Sequence, residues 1–163
     1  MILVRPATAD DCPGIAAAHV ASIRGLAKRS YTPEQISAWS ADKNPSSYAV
    51  DKHPTFVAVN NGEVVGFSEL RVAGHEVRAV YVSPKVVGKG VGAMLLAAVE
   101  NAAKERGLKS LRLSASLNAV GFYKRQGYQE TGKGAMTTGS GVSVPYTLME
   151  KWLTPPLTGA VPP

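Results

Sequence analysis

The sequence predicts one α/β domain, a mixed central sheet with helices on both faces. Three observations lead there. Strand and helix signals follow the order β-α-α-β-β-β-α-β-α-β-β, the pattern of a layered α/β domain. Of 163 residues, 45% are hydrophobic and 18% charged, which are globular values rather than disordered ones. The stretch from Val77 to Arg106 reads as a strand, a glycine-rich turn and one amphipathic helix. The domain is expected to span residues 1–153, a length that supports a real core. Thr154 to Pro163 is rich in Pro and Gly and is expected to fray as a tail.

Taken in order, Ile2 to Pro6 is a short strand. The first helix starts between Thr8 and Pro13, with Thr8, Asp10 and Asp11 as capping candidates. Ile15, Ala18, His19, Ser22, Ile23 and Leu26 share one face. Thr32-Pro33-x-Gln35 is a capping box with proline at the first helical position, so a second helix starts there. Ile36 and Trp39 face inward, and Asn44-Pro45-Ser46-Ser47 ends the segment. Thr55 to Val59 is a strand, Asn60-Asn61-Gly62 a hairpin turn, and Glu63 to Val72 the partner strand. Gly66 marks a bulge or a close approach within it. Ala73-Gly74-His75 turns into the fourth strand, which Ser83-Pro84 stops.

The long helix follows. Val91, Met94, Leu95, Ala98 and Ala102 recur at helical spacing, Glu100 and Lys104 take the wetter side, and Gly107 is placed to end it. Then come a strand at Lys109–Ser114, a short helix from Asn118 to about Arg125, a strand from Tyr128, a turn at Gly139-Ser140-Gly141 and a last strand from Val142 to Trp152.

Several function classes are disfavoured. No apolar run reaches the length of a membrane span. The N-terminus lacks the basic start and cleavage region of a signal peptide. One cysteine, Cys12, allows no internal disulfide and fits a reducing cytosol, so a cytoplasmic location is expected. Cys12 reads as packing rather than as a nucleophile, having no adjacent base in the sequence. The net charge of +6 is scattered and not interleaved with aromatics, unlike a nucleic-acid groove. Such a surface is either simply solvated or attracts a polyanionic ligand.

The strand–turn–helix unit carries the chemistry. The first N–H groups of a helix have no internal partner and sit at the positive end of its dipole. Gly88, Gly90 and Gly92 let an anion reach that backbone without obstruction by Cβ atoms. The site therefore suits a phosphate or pyrophosphate. It is not a P-loop, because Gly90 rather than Ser or Thr follows Lys89. Gly88, Gly90 and Ala93 fit a dinucleotide fingerprint, but no acidic residue ends the next strand.

Val80-Tyr81-Val82-Ser83-Pro84 followed by Gly88-Lys89-Gly90-Val91-Gly92 resembles the acyl-CoA motif of the GCN5-related N-acetyltransferases (GNAT family). Their pattern is Arg/Gln-x-x-Gly-x-Gly/Ala. Gly90 and Gly92 fit, and Val87 stands where Arg or Gln is usual. A second block, Asn118 to Tyr128, resembles the family's Asn-x-x-Ala-x-x-Phe-Tyr-x-x-x-Gly-Phe segment, with Gly121 for the usual Ala.

The resemblance implies a mostly antiparallel sheet splayed between strands four and five, with acetyl-CoA as cosubstrate in the cleft and no metal. It implies that backbone groups of Val80 and Val82, beside Tyr81, hold the acyl-pantetheine arm. Amides across Val87, Gly88, Lys89, Gly90, Val91, Gly92 and Ala93 would hold the pyrophosphate, and Asn118 would touch the pantetheine. Tyr123 takes the place of the acid that protonates the departing thiolate, and Glu76 that of the general base in some members. His75, Glu69, His53 or a water chain are rivals for the base. Acceptor selectivity would come from the first two helices and the last hairpin, including His19, Arg24, Tyr31, Trp39 and Tyr146.

The expected activity is transfer of an acetyl group to a primary amine by direct attack. The rival readings are an inactive acyl-CoA-binding sensor or scaffold and, further off, a basic nucleic-acid-binding module. The acceptor would be a small-molecule or peptide amine, with no nucleic-acid or membrane partner, and a homodimer is left open.

Overall fold

A computed structural model describes residues 1–153; the expected tail at 154–163 lies outside the described residues. Its strands are β1 (Ile2–Pro6), β2 (Thr55–Asn60), β3 (Glu63–Arg71), β4 (Glu76–Val82), β5 (Ser110–Ser116), β6 (Gln129–Thr137) and β7 (Ser143–Trp152). They form one sheet in the order β1-β2-β3-β4-β5-β7-β6. Every neighbouring pair is antiparallel except β4 and β5, which are parallel. The α-helices are α1 (Cys12–Leu26), α2 (Pro33–Ser40), α3 (Val91–Glu105) and α4 (Val120–Arg125).

Local chemistry accounts for most boundaries. Thr32 Oγ1 accepts from the Gln35 N–H at 3.1 Å and Gln35 Oε1 accepts from the Thr32 N–H at 2.9 Å, so the capping box opens α2 as read. The helix stops at Ser40, and Asn44-Pro45-Ser46-Ser47 forms a separate short turn. The Asn61–Gly62 turn has positive φ at both residues (50° and 79°), the geometry a two-residue hairpin needs. Past α3, the Gly107 N–H reaches the Lys104 carbonyl and the Leu108 N–H the Ala103 carbonyl. That is a Schellman stop.

The two faces of the sheet are covered differently. Ile15 of α1 packs on Val57 and Phe67. On the other face Leu95 and Val91 of α3 pack on Ala58 and Val65, and the Ser68 hydroxyl donates to the Leu95 carbonyl at 2.9 Å. At Gly66 an added Cβ would lie 2.9 Å from the Tyr81 carbonyl oxygen and 3.0 Å from Leu95 Cδ1. The close approach read from the sequence is therefore real.

Two expectations about α3 need correction. Its buried residues are Val91, Leu95, Leu96, Val99, Ala102 and Ala103, whereas Met94 is exposed. The sheet lies slightly around the helix from where apolar spacing alone puts it. Glu100 is not on a wet side either. Its carboxylate accepts from the Tyr128 hydroxyl at 2.9 Å and from Lys151 Nζ at 2.9 and 3.1 Å.

Candidate active site

The site begins with a fault in the sheet. Along β3, Glu69 faces Ala79 but Leu70 faces Val77, so Arg78 is an extra residue on β4. Such a bulge bends a strand and increases its twist. Before it, Glu76 still pairs with Arg112 of β5, and the Arg112 N–H donates to the His75 carbonyl at 2.9 Å. Beyond Glu76 no further β4–β5 register pair occurs among the described residues. The strands part and leave a cleft of about 520 Å³ between them.

Val80, Tyr81 and Val82 line the cleft on one side, and Ser114 and Ser116 on the other. Backbone groups on the free edge of β4 are thus open to a ligand, since each needs a hydrogen-bond partner once it is covered. Val87, Gly88, Gly90, Val91, Gly92 and Ala93 form the far end. Gly88 and Gly90 hold φ of 81° and 77°, and Gly90 directly precedes the first turn of α3. The left-handed backbone there is one that side chains with a Cβ resist. It presents the unpaired N–H groups of the helix start to the cleft. A Cβ built on Gly90 meets nothing within 4 Å, so the space beside this backbone is open. The loop therefore fits a pyrophosphate held by amides and the helix dipole.

The wall opposite the glycines comes from the second motif. Asn118, Ala119, Phe122 and Tyr123 line the cleft. Phe122 is partly exposed and packs against the edge of the core, while Tyr123 is 6% exposed. The short α4 presents both rings to the cleft end of the core, with centroids 5.1 Å apart. A Cβ on Gly92 would stand 3.3 Å from the Phe122 ring, so this contact depends on the small residue. Burial raises the Tyr123 pKa well above that of an ordinary phenol, with a smaller push from Tyr81.

Lys89 and Glu76 do not line the cleft. Lys89 is exposed on the loop, and Glu76 sits at the end where β4 and β5 are still joined. Its neighbour Val77 is the first cleft residue of β4.

The residues expected from sequence to select the acceptor divide. Trp39 lines the cleft, as does Ser22 of α1, which helical spacing places only on a packed face. Tyr31 is buried and bridges two distant segments. Its hydroxyl donates to the Pro145 carbonyl at 2.6 Å and accepts from the Leu117 N–H at 2.9 Å. His19 is a packing histidine. Its Nδ1 lies 2.9 Å from the Tyr48 hydroxyl, and its ring sits against Tyr81 and Phe67 at 4.1 and 5.2 Å. Burial, then the charges of Lys43 and Arg78, lower its pKa to about 3, so it is neutral at working pH. Cys12 is buried, and burial raises its thiol pKa, which weakens it as a nucleophile.

A parallel strand pair opened by a bulge, with a glycine turn suited to an anion at one end and a tyrosine against the opening, fits an acyl-CoA-binding transferase. Residues 27–151 match the family described as "Acetyltransferase (GNAT) domain", and the chain belongs to that family. Its general activity is transfer of acetyl from acetyl-CoA to amines. The chain is 32% identical to a GCN5-related N-acetyltransferase from Rhodopseudomonas palustris, with a TM-score of 0.85 over 92% of this chain and 94% of that one. It is 28% identical to the uncharacterized N-acetyltransferase YafP of Escherichia coli (strain K12), over 78% of this chain and 81% of the relative. The PaiA N-acetyltransferase of Thermoplasma acidophilum, solved in complex with coenzyme A, shares the fold at 22% identity, with a TM-score of 0.74 over 93% and 99% of the two chains. Among the described residues no helix is long and apolar enough to cross a membrane.

Proposed function

We propose that this chain acetylates a small primary amine by direct attack on the acetyl thioester, with Tyr123 as the acid for the leaving sulfur. The observation that carries the reading is the position of Tyr123 on the cleft wall, on the short helix α4 that follows β5. The thioester arm lies along the free edge of Val80 to Val82, and the amides from Gly88 to Ala93 take the pyrophosphate. Asn118 borders the arm on the opposite wall.

Burial keeps the Tyr123 phenol protonated through the working pH range, so the resting group is a donor. The same burial widens its gap from an ordinary thiol, whose pKa is about 8.5. The thiolate forms in the same apolar cleft, and desolvation raises its pKa too. Transfer from oxygen to sulfur replaces the thiolate with a Tyr123 phenolate, which then takes up the proton that the attacking amine loses, so that the phenol is restored for the next turnover. The amine must first lose a proton. We assign that step to Glu76 acting through water, since the carboxylate lies just beyond the cleft end at Val77.

The experiment is CoA release by Tyr123→Phe. The variant should keep acetyl-CoA binding and lose turnover by about 10²–10⁴-fold, the usual contribution of a positioned acid. A rate within about twofold of wild type removes Tyr123 from the chemistry. Glu76→Gln should lose most activity at low pH and least at high pH, where free amine is plentiful. An unchanged pH profile moves the base elsewhere, with Glu69, which faces Ala79 across the bulge, as the next candidate.

A further inference from the structure

The cleft has a second end, and its charge is unlike that of the phosphate loop. Arg78 lines it there, as the bulged residue at which β4 leaves β5. The Arg78 charge is felt by His19, Lys43 and Tyr81. His19 belongs to α1, and the Tyr81 ring stacks on Phe67, which packs with Ile15 of α1, so the groups that feel this charge lie on the α1 face of the sheet. Val82 lies four residues further along the strand, about 13 Å away at the usual rise, and the glycine loop lies beyond it. Arg78 is therefore outside reach of a pyrophosphate seated on the α3 amides.

Lys43 joins it from the loop after α2, partly buried. Among the described residues, the ion pairs are Arg5–Asp11, Arg71–Glu69, Lys85–Glu63, Lys124–Glu130 and Lys151–Glu100. Neither Arg78 nor Lys43 is in one. The buried carboxylate of Glu69 is already taken by Arg71, and Asp42 offsets Lys43 only in part. Burial and the facing Arg78 both lower the basicity of Lys43. Arg78, exposed at the mouth of a cleft walled by Trp39 and Tyr81, and Lys43, which lies near it without lining the cleft, thus have no ion-pair partner among the described residues. His19, 8% exposed and with Nε2 unpartnered, stands next to them.

Given the acetyltransferase reading above, on which this step rests, we infer that the acceptor amine carries its own anionic group, a carboxylate or a phosphonate, and that Arg78 and Lys43 receive it. A bare ammonium or polyamine would meet repulsion at this end of the cleft. An acceptor with an anion a few bonds from its amine replaces that repulsion with charge-assisted hydrogen bonds, bidentate in the case of the guanidinium fork. The anion docks at the bulge, and the amine is left pointing down the cleft toward the thioester. Arg78 and Lys43 are positioning and selectivity residues in this scheme and take no part in proton transfer.

The test compares ω-amino acids of two to five carbons with their carboxamides, with 3-aminopropylphosphonate, and with putrescine, all as rates per unprotonated amine. An acid or the phosphonate should be preferred over its uncharged or cationic counterpart by about 10- to 100-fold in kcat/KM, the range that one charged hydrogen bond supplies. The relative rates of the carboxylates and the phosphonate identify which anion fits. Arg78→Gln and Lys43→Gln should each raise the KM for the preferred acid, leave its amide unchanged and leave the KM for acetyl-CoA unchanged. Equal rates for acid and amide, faster turnover of putrescine, or an Arg78→Gln enzyme that still prefers the acid overturns the inference, while the acetyltransferase reading stands.

If no amine is acetylated, the acetyltransferase reading fails and the anion subsite is read by binding alone. Titration of 3-aminopropylphosphonate and of each ω-amino acid into CoA-loaded protein should then show saturable heat that Arg78→Gln abolishes. No saturable heat with any of them up to millimolar concentrations rejects the subsite.

Discussion

Replacing Tyr31 with Phe removes one oxygen and nothing else, and the structure gives its cost. The hydroxyl holds two backbone groups, the Pro145 carbonyl at 2.6 Å and the Leu117 N–H at 2.9 Å. These belong to β7 and to the turn before α4, so one phenol ties the segment after α1 to both. The ring itself still packs on Trp39, with centroids 5.3 Å apart, so the packing contribution is retained. A buried polar group left without its partner costs about 1–3 kcal/mol. Pro145 and Leu117 are only partly buried, which places each near the low end. The expected loss is about 2 kcal/mol in all, or a fall in Tm of roughly 4–8 °C for a domain of this size. Urea unfolding followed by circular dichroism measures it directly.

The same variant has a kinetic signature. Leu117 adjoins Asn118 on the cleft wall, so slack in this turn should raise the KM for acetyl-CoA more than it lowers kcat. If Tyr31→Phe unfolds within about 0.5 kcal/mol of wild type, in the range of ordinary surface substitutions, the bridge contributes nothing and the coupling argument fails. If stability falls but the KM for acetyl-CoA is unmoved, the bridge is structural only.

Three further outcomes can be checked. Acetyl-CoA at 100 times its Kd should stabilise the protein by about 2.7 kcal/mol. Gly90→Val, which forces a branched side chain into a left-handed backbone of φ 77° beside the phosphate site, should abolish most of that thermal shift; a full shift would falsify the amide cradle. Asp11 accepts two hydrogen bonds from Arg5 at 2.8 and 2.9 Å and one from the Thr8 N–H at 2.8 Å. The Arg5 bond, more than any other influence, lowers its pKa. Its stabilising contribution is therefore complete above the ordinary aspartate pKa of about 3.9 and is lost as pH falls through the lower folded value. Asp11→Asn should be less stable than wild type at pH 7 and should converge on it in acid; parallel pH curves would show that the pair is silent. Glu100→Ala strands the buried Tyr128 hydroxyl and frees Lys151, at an expected cost of about 1–3 kcal/mol in chemical denaturation. A loss below about 0.5 kcal/mol would mean that water takes the place of the carboxylate.

Much of this architecture is written locally. The Thr32–Gln35 capping box, the Asn61–Gly62 turn, the stop at Gly107 and the glycines before α3 each act within a few residues, so a linear reading finds them. The cofactor end of the cleft is legible for the same reason. An anion site built from consecutive amides and a helix start needs only the backbone of one segment. The end of the cleft proposed for the acceptor is not legible. It depends on Arg78 being surplus to its strand, a fact of register between β3 and β4 that no single segment contains. It depends equally on Lys43, 35 positions earlier by residue number, lying close enough to feel the charge of Arg78. The exposed Met94, the cleft-facing Phe122 and the partnered Glu100 escape a linear reading for a related reason. Helical spacing says which residues share a side, and only the placement of the sheet and of β7 beside it decides which side is covered. Hydrogen bonds such as those of Tyr31 join segments 86 and 114 residues apart. Their partners are chosen by strand order and by the bulge, which are properties of the assembled sheet and of no stretch of sequence within it.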